Sequence, residues 1–188
     1  MKAVYLTFDD GPHPVHTPEL LDLLARHDAR ATFFQVGQDV ERHPELTRRV
    51  VDEGHAVGNH TWSHVDLSAR SAAEGVDELQ RTNAVLAGVL RRQPVLFRPP
   101  YGRLGPTTRA DAAAAGLETV LWDVDPLDWD SPGAAAIVTR VLDAVADGTI
   151  VLLHDGGGDR SQTVRAVERI IAALAPRGFA FPALPVRS

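Results

Sequence analysis

Residues 2–12 read KAVYLTFDDGP: an apolar run, Ala3-Val4-Tyr5-Leu6, that stops at Asp9 and Asp10 and turns away through Gly11-Pro12. A run that is apolar at consecutive rather than alternate positions is what a strand shows when both of its faces are covered. The pattern recurs down the chain. Strands are expected at residues 31–36 (ATFFQV), 55–58 (HAVG), 95–98 (VLFR), 118–122 (ETVLW), 149–154 (TIVLLH) and 179–181 (FAF). Segments of helical period lie between them. Thr17-Pro18 offers a cap and a first-turn proline for a helix through Leu24, and Pro44–Glu53 is helical with Gly54 as its stop. Ser71 and Glu74 form a capping box for a helix reaching about Arg91. Thr107–Ala115 is helical before Gly116, Ser131-Pro132 opens a helix toward Asp147-Gly148, and Ser161–Leu174 is a further helix. Regular strand–helix alternation predicts parallel strands with helices packed outside them. An open doubly wound sheet and a closed barrel both fit that alternation. About seven units, in a chain shorter than an eight-fold barrel requires, point to an α/β fold: a distorted, incomplete (β/α)7 barrel of parallel strands.

Composition narrows the function classes. The chain has 188 residues, enough for one domain with a substantial core, and is 44% hydrophobic and 23% charged. The net charge is −6, and Lys2 is the only lysine, so no basic patch marks a nucleic-acid partner. Cysteine is absent, which excludes disulfides and thiolate metal sites. No apolar stretch approaches the ~20 residues of a membrane span. The first strand begins almost at Met1, so no signal peptide is expected, and a cytoplasmic location stays open.

The reactive side chains cluster by position. Asp9 and Asp10 follow strand one, and His60 and His64 (HTWSH) follow strand three. Arg98 ends strand four, Asp125 and Asp128 follow strand five, and His154 and Asp155 end strand six. Each lies at the carboxyl end of its strand, and in parallel α/β folds those ends share one rim where sites form. On a helical turn, two histidines four residues apart face the same way and chelate a divalent cation. With eight histidines in the chain, such a pair also arises by accident, as two unrelated surface residues. A carboxylate from the same rim changes that balance, because two His and one Asp are a common three-ligand set that leaves positions open for water and substrate.

One Asp of the pair can then bind metal while the other takes a proton from water. Arg98 can ion-pair with the second and keep it charged; the plainer reading of Arg98 is a structural ion pair. His154, at the end of an apolar strand, reads either as a packed rim histidine or as a general acid held protonated by Asp125 or Asp128. Trp122 and Trp129 read either as core or as the wall of a pocket on which a sugar ring stacks.

TFDDGP, HTWSH, RPPYG, DPLDW and LLHD occur in this order, together with ATFFQVG and GHAVGNHTWSH. This set resembles the motifs of the polysaccharide deacetylase family, also called the NodB-homology domain or carbohydrate esterase family four, from residue 2 to about residue 181. The resemblance implies a single catalytic domain over residues 1–188. It implies that Asp9 is the base, that Asp10, His60 and His64 hold the metal, and that Arg98 pairs with the base. It implies further that Asp128 orients His154, the general acid, and that Tyr101 lends a backbone N–H to the oxyanion. Trp129 and Leu153 are the pocket residues it implies, Leu153 beside the acetyl methyl.

The expected cofactor is one divalent ion, Zn²⁺ foremost, with Co²⁺ or Ni²⁺ as alternatives. The expected partner is a glycan substrate, either a chitooligosaccharide or peptidoglycan carrying N-acetylglucosamine, acted on by a monomer that is secreted or in the cell envelope. An O-acetyl esterase acting on xylan has the same site requirements. A cyclic amide hydrolase, a glycan-binding module with a structural metal and a non-haem iron oxygenase are the other readings. A matched acid and base argue against the last two.

Overall fold

A computed structural model describes residues 2–185. The expected single domain over residues 1–188 reaches past these at both ends, where Met1 and residues 186–188 lie outside the described residues. The strands are β1 (Lys2–Gly11), β2 (Thr32–Gln35), β3 (Ala56–Asn59), β4 (Leu96–Phe97), β5 (Glu118–Thr119), β6 (Thr149–His154) and β7 (Phe179–Ala180). The helices are α1 (His16–Arg26), α2 (Gly37–Arg42), α3 (Pro44–Asp52), α4 (Ala72–Leu90), α5 (Thr108–Ala114), α6 (Ala134–Ala144) and α7 (Ser161–Leu174).

All strand pairs are parallel, in the order β5-β4-β3-β2-β1-β6, with β7 pairing the start of β1. The sheet curls without closing. Between β5 and β6 the only ladder contact among the described residues is a bridge from Val124 to Val151. The architecture is the expected incomplete seven-stranded barrel. Its interior strands are covered on both faces, which is why they read as unbroken apolar runs. Leu6, Phe8, Phe33, Val151 and Leu153 are almost wholly buried in one core with Leu20, Leu24, Ile170 and Leu174 of the outer helices. α7 shows how that happens: its buried residues Thr163, Ala166, Val167, Ile170, Ile171 and Leu174 recur at three- and four-residue spacing and form one stripe.

Three local expectations change. α1 begins at His16, so Thr17 lies inside the helix rather than capping it; its hydroxyl donates to Asp155 Oδ2 at 2.5 Å. α6 begins after Gly133, whose φ of 94° suits glycine, and Ser131 makes no cap; the helix also stops at Ala144, short of Asp147. β5 ends at Thr119 instead of Trp122 because the next two carbonyls accept from a side chain. Arg98 donates Nε–H to Val120 O at 3.3 Å and an Nη2–H to Leu121 O at 3.0 Å. The six-residue helix α2 was not expected. The Ser71–Glu74 capping box is present at the start of α4.

Candidate active site

The β1–β6 register pairs Asp9 with His154, and β1 swerves immediately afterward. Asp10 takes a left-handed conformation (φ 72°), and the ladder to β2 shifts between Asp9 and Gly11. That bulge brings both carboxylates to the rim, where regular alternation would have sent them to opposite faces. Gly11 is required here, because a Cβ on it would lie 2.2 Å from a carboxylate oxygen of Asp155.

Asp9 is buried, and its Oδ1 accepts from Arg98 Nη1 at 2.8 Å. The same Nη1 donates to Thr7 Oγ1 at 2.7 Å, and the guanidinium lies 4.2 Å from the centroid of the Phe34 ring. Burial pulls the guanidinium pKa down while Asp9 opposes that shift. The fully buried cation is compensated by a carboxylate, a hydroxyl and two carbonyls, as burying a charge demands.

His60 and His64 do not sit on a helix. The segment between β3 and the short turn at Leu67–Ala69 is an irregular loop with positive φ at Thr61 (67°) and His64 (56°). That backbone, not helical periodicity, brings the two rings together at 5.1 Å. Asp10 Oδ1 lies 3.3 Å from His60 Nε2 and 3.0 Å from His64 Nε2. His60 Nδ1 meets the Arg98 carbonyl at 2.7 Å and must donate to it, which fixes the tautomer and turns Nε2 toward the carboxylates.

Asp10 Oδ1 is buried and has no hydrogen-bond partner, and one ligand atom from each of Asp10, His60 and His64 falls within a 4.8 Å cluster. Lone pairs facing one another at this range repel unless a proton or a metal cation lies between them. Burial alone would raise the Asp10 pKa and lower that of His60. Attraction between the carboxylates and the imidazoles reverses both: Asp9 and Asp10 hold the His60 imidazole above its ordinary value, and His60 and His64 hold the Asp10 carboxyl far below the usual carboxylate range. Two nitrogens and one carboxylate oxygen, one oxygen unpartnered, fit a borderline divalent ion such as Zn²⁺, Co²⁺ or Ni²⁺.

On the far side stands His154. Its Nδ1 bonds Asp128 Oδ1 at 2.8 Å, and its backbone N–H donates to Asp128 Oδ2 at 2.9 Å. Thr163 of α7 donates its hydroxyl to the same Oδ2 at 2.7 Å. Burial opposes the imidazolium, but the Asp128 hydrogen bond and the charges of Asp128, Asp9 and Asp10 outweigh it and push the pKa up to about 9. Of the two candidate partners, Asp128 therefore holds His154. Asp125 instead accepts the Leu127 N–H at 2.8 Å and bonds the Trp129 indole at 3.5 Å.

A pocket of about 350 Å³ opens among Asp9, Asp10, His60, His64, Tyr101, Trp122, Asp125, Trp129, Leu152 and His154. Tyr101, with φ 60°, packs its ring edge-on to His64 at 4.9 Å and is largely exposed. Trp129 is half-exposed on the rim. Leu153 corrects an expectation: it is fully buried in the core, and the pocket leucine is Leu152. Side chains alternate along β6, so the residue two before His154 shares its face and the residue one before does not. Trp122 and Leu152 thus join the wall. Thr163 carried no sequence signal for its role, because only the fold brings α7 under Asp128.

The polysaccharide deacetylase family model matches residues 1–120. A chitooligosaccharide deacetylase from Bradyrhizobium is 47% identical over 98% of this chain and 90% of its own length. A peptidoglycan-N-acetylglucosamine deacetylase from Bacillus cereus is 43% identical over 96% of this chain and 85% of its own. The solved structure of a family 4 carbohydrate esterase from Streptomyces lividans, in complex with acetate, superposes with a TM-score of 0.89 at 38% identity, covering 96% of this chain and 91% of that one.

Proposed function

The chain belongs to the polysaccharide deacetylase family, and from that premise we propose that it is a metal-dependent hydrolase removing N-acetyl groups from N-acetylglucosamine residues of a chitooligosaccharide or peptidoglycan. The observation that carries this reading is the placement of two hydrogen-bonded pairs, Asp9 with Arg98 and His154 with Asp128, whose Asp9 and His154 share one pocket with the Asp10–His60–His64 cluster.

A divalent metal held by Asp10, His60 and His64 would polarise the acetamide carbonyl and lower the pKa of water. Asp9, held by Arg98, takes the proton of the attacking water. The Tyr101 N–H, set by its left-handed backbone, donates to the carbonyl oxygen as charge develops there. His154 enters protonated and gives its proton to the amine nitrogen as the C–N bond breaks, with Asp128 stabilising the imidazolium. Acetate and a free amino sugar leave. Trp129 and Trp122 offer aromatic faces to the sugar, and Leu152 an apolar surface to the acetyl methyl.

Every group in this scheme comes from one chain, consistent with a monomer. No helix among the described residues is long and apolar enough to cross a membrane. We place the protein in the cell envelope or outside the cell, a reading supported by the relative named for acting on peptidoglycan.

The test is to incubate the protein with chitooligosaccharides, peptidoglycan fragments and acetylated xylan, before and after chelation. Acetate and free amine should appear in equal amounts from an N-acetylated glycan, vanish on chelation and return with Zn²⁺ or Co²⁺. Acetate from xylan alone would make the chain an O-acetyl esterase. No release from any substrate by the metal-loaded protein would remove the hydrolase reading.

A further inference from the structure

We propose that Glu78, on α4 and outside the pocket, is a positioning residue that sets the metal affinity of the His60–His64 loop. The inference rests on the metal centre proposed above. The loop has a difficult conformation, with left-handed backbone at Thr61 and at His64, so its geometry must be imposed by neighbours. Glu78 supplies that from one side. Its Oε2 accepts the backbone N–H groups of Trp62 at 2.8 Å and Ser63 at 2.9 Å, and its Oε1 accepts from Ser63 Oγ at 2.8 Å. The other side is held by the start of α2: Gly37 N–H donates to Thr61 O at 2.9 Å and Gln38 N–H to Trp62 O at 3.0 Å. The Arg81 guanidinium, one turn along α4, covers the Trp62 ring at 4.2 Å.

The three residues between the two histidines are thus clamped from both sides, and one carboxylate holds both N–H groups. Without it those donors lose their partners and His64 loses its fixed direction, while His60 stays anchored through the Arg98 carbonyl. Hydrogen-bonded supports of metal ligands typically change affinity by ~10–100-fold when removed.

Chemistry distinguishes the variants. Glu78→Gln keeps one oxygen for the two backbone donors and offers its amide N–H to Ser63 Oγ, which accepts; it should bind like the parent. Glu78→Asp is one methylene too short, and Glu78→Ala has no acceptor. Asp77→Asn, whose side chain is exposed beside it on α4, serves as control. Zn²⁺ dissociation constants are measured by competition with a chromogenic chelator, alongside apo and Zn²⁺-bound melting midpoints.

We expect Kd to rise about tenfold or more in Glu78→Ala and Glu78→Asp and to stay near the parent value in Glu78→Gln and Asp77→Asn. The metal-induced rise in melting midpoint should shrink in the first two. Unchanged Kd in a folded Glu78→Asp or Glu78→Ala protein overturns the proposal. So does an equal loss in Glu78→Gln. A parent chain that binds no divalent ion would instead remove the metal centre, and this inference with it.

Discussion

Asp9 and His154 are Cα partners across the β1–β6 ladder, and the Asp9 carbonyl accepts the N–H of Asp155 at 3.0 Å. The base and the acid of the proposed reaction therefore stand at the ends of two adjacent hydrogen-bonded strands. Their spacing is set by the sheet, the most rigid element available, rather than by a loop. Each is then paired from outside the sheet: Asp9 with Arg98, and His154 with Asp128 from the turn at Asp128–Asp130.

Asp9→Asn separates base from ligand. Zn²⁺ content should stay at the parent level, since Asp10, His60 and His64 are untouched, while kcat falls by ~10²–10⁴-fold. Its melting midpoint should also drop, because Arg98 keeps a buried charge without a carboxylate. His60→Ala should behave oppositely, losing the metal itself. Metal analysis and steady-state kinetics on both variants check the assignment.

The His154–Asp128 pair predicts a pH limb. The folded pKa is raised, so the imidazolium is present at neutral pH and is lost as pH rises toward about 9. Activity should fall on that alkaline side, at or below about 9, since the proposed divalent cation in the same pocket would pull the value down. The stability the charged pair contributes is present below the ordinary histidine value of ~6.5 and is lost over the same rise. In Asp128→Asn the limb should move toward the ordinary range and kcat should drop. A limb that stays in place would exclude His154 as the acid.

Leu152 and Leu153 should separate function from folding. Leu153→Ala opens the core and should cost about 2–5 kcal/mol by chemical denaturation. Leu152→Ala should cost less stability and instead change KM or kcat, since that side chain borders the pocket.

Asp155 carries an inverted pH dependence in the metal-free protein. Burial, and then the charges of Asp10 and Asp9, push its carboxyl up to about 7, although the Thr17 hydroxyl favours the charged form. The fold binds this proton more tightly than the unfolded chain does, so its contribution declines from pH ~4 to about 7. Asp155→Asn cannot titrate there. Denaturation of the chelated proteins should show the variant gaining on the parent across that window.

Much of this was legible in the sequence, and the failures are specific. Runs such as Ile150–Leu153 announced buried strands, and acids and histidines at their carboxyl ends announced a shared rim. Side-chain direction was less visible. Consecutive leucines give no phase, so Leu153 and Leu152 could be told apart only by tracing alternation back from His154. The histidine pair was expected at helical spacing and converges in a loop instead, because positive φ at Thr61 and His64 leaves no compositional mark. α2 lacked a signal because it is six residues long and has no side-chain cap. Glu78 reads as one more charge on an exposed helix until the loop it holds is seen.

The cluster of Asp10, His60 and His64 also joins parts of the chain that meet only in the folded state, the end of β1 and the loop after β3. An ion seated there is a removable cross-link, and folding becomes coupled to the ion supply. At a free concentration one hundred times Kd, one such site adds about 2.7 kcal/mol to stability. Melting midpoints should therefore climb with the logarithm of free Zn²⁺. Chelation would then leave a less stable fold as well as an idle enzyme, and the lifetime of the protein would follow the free ion concentration.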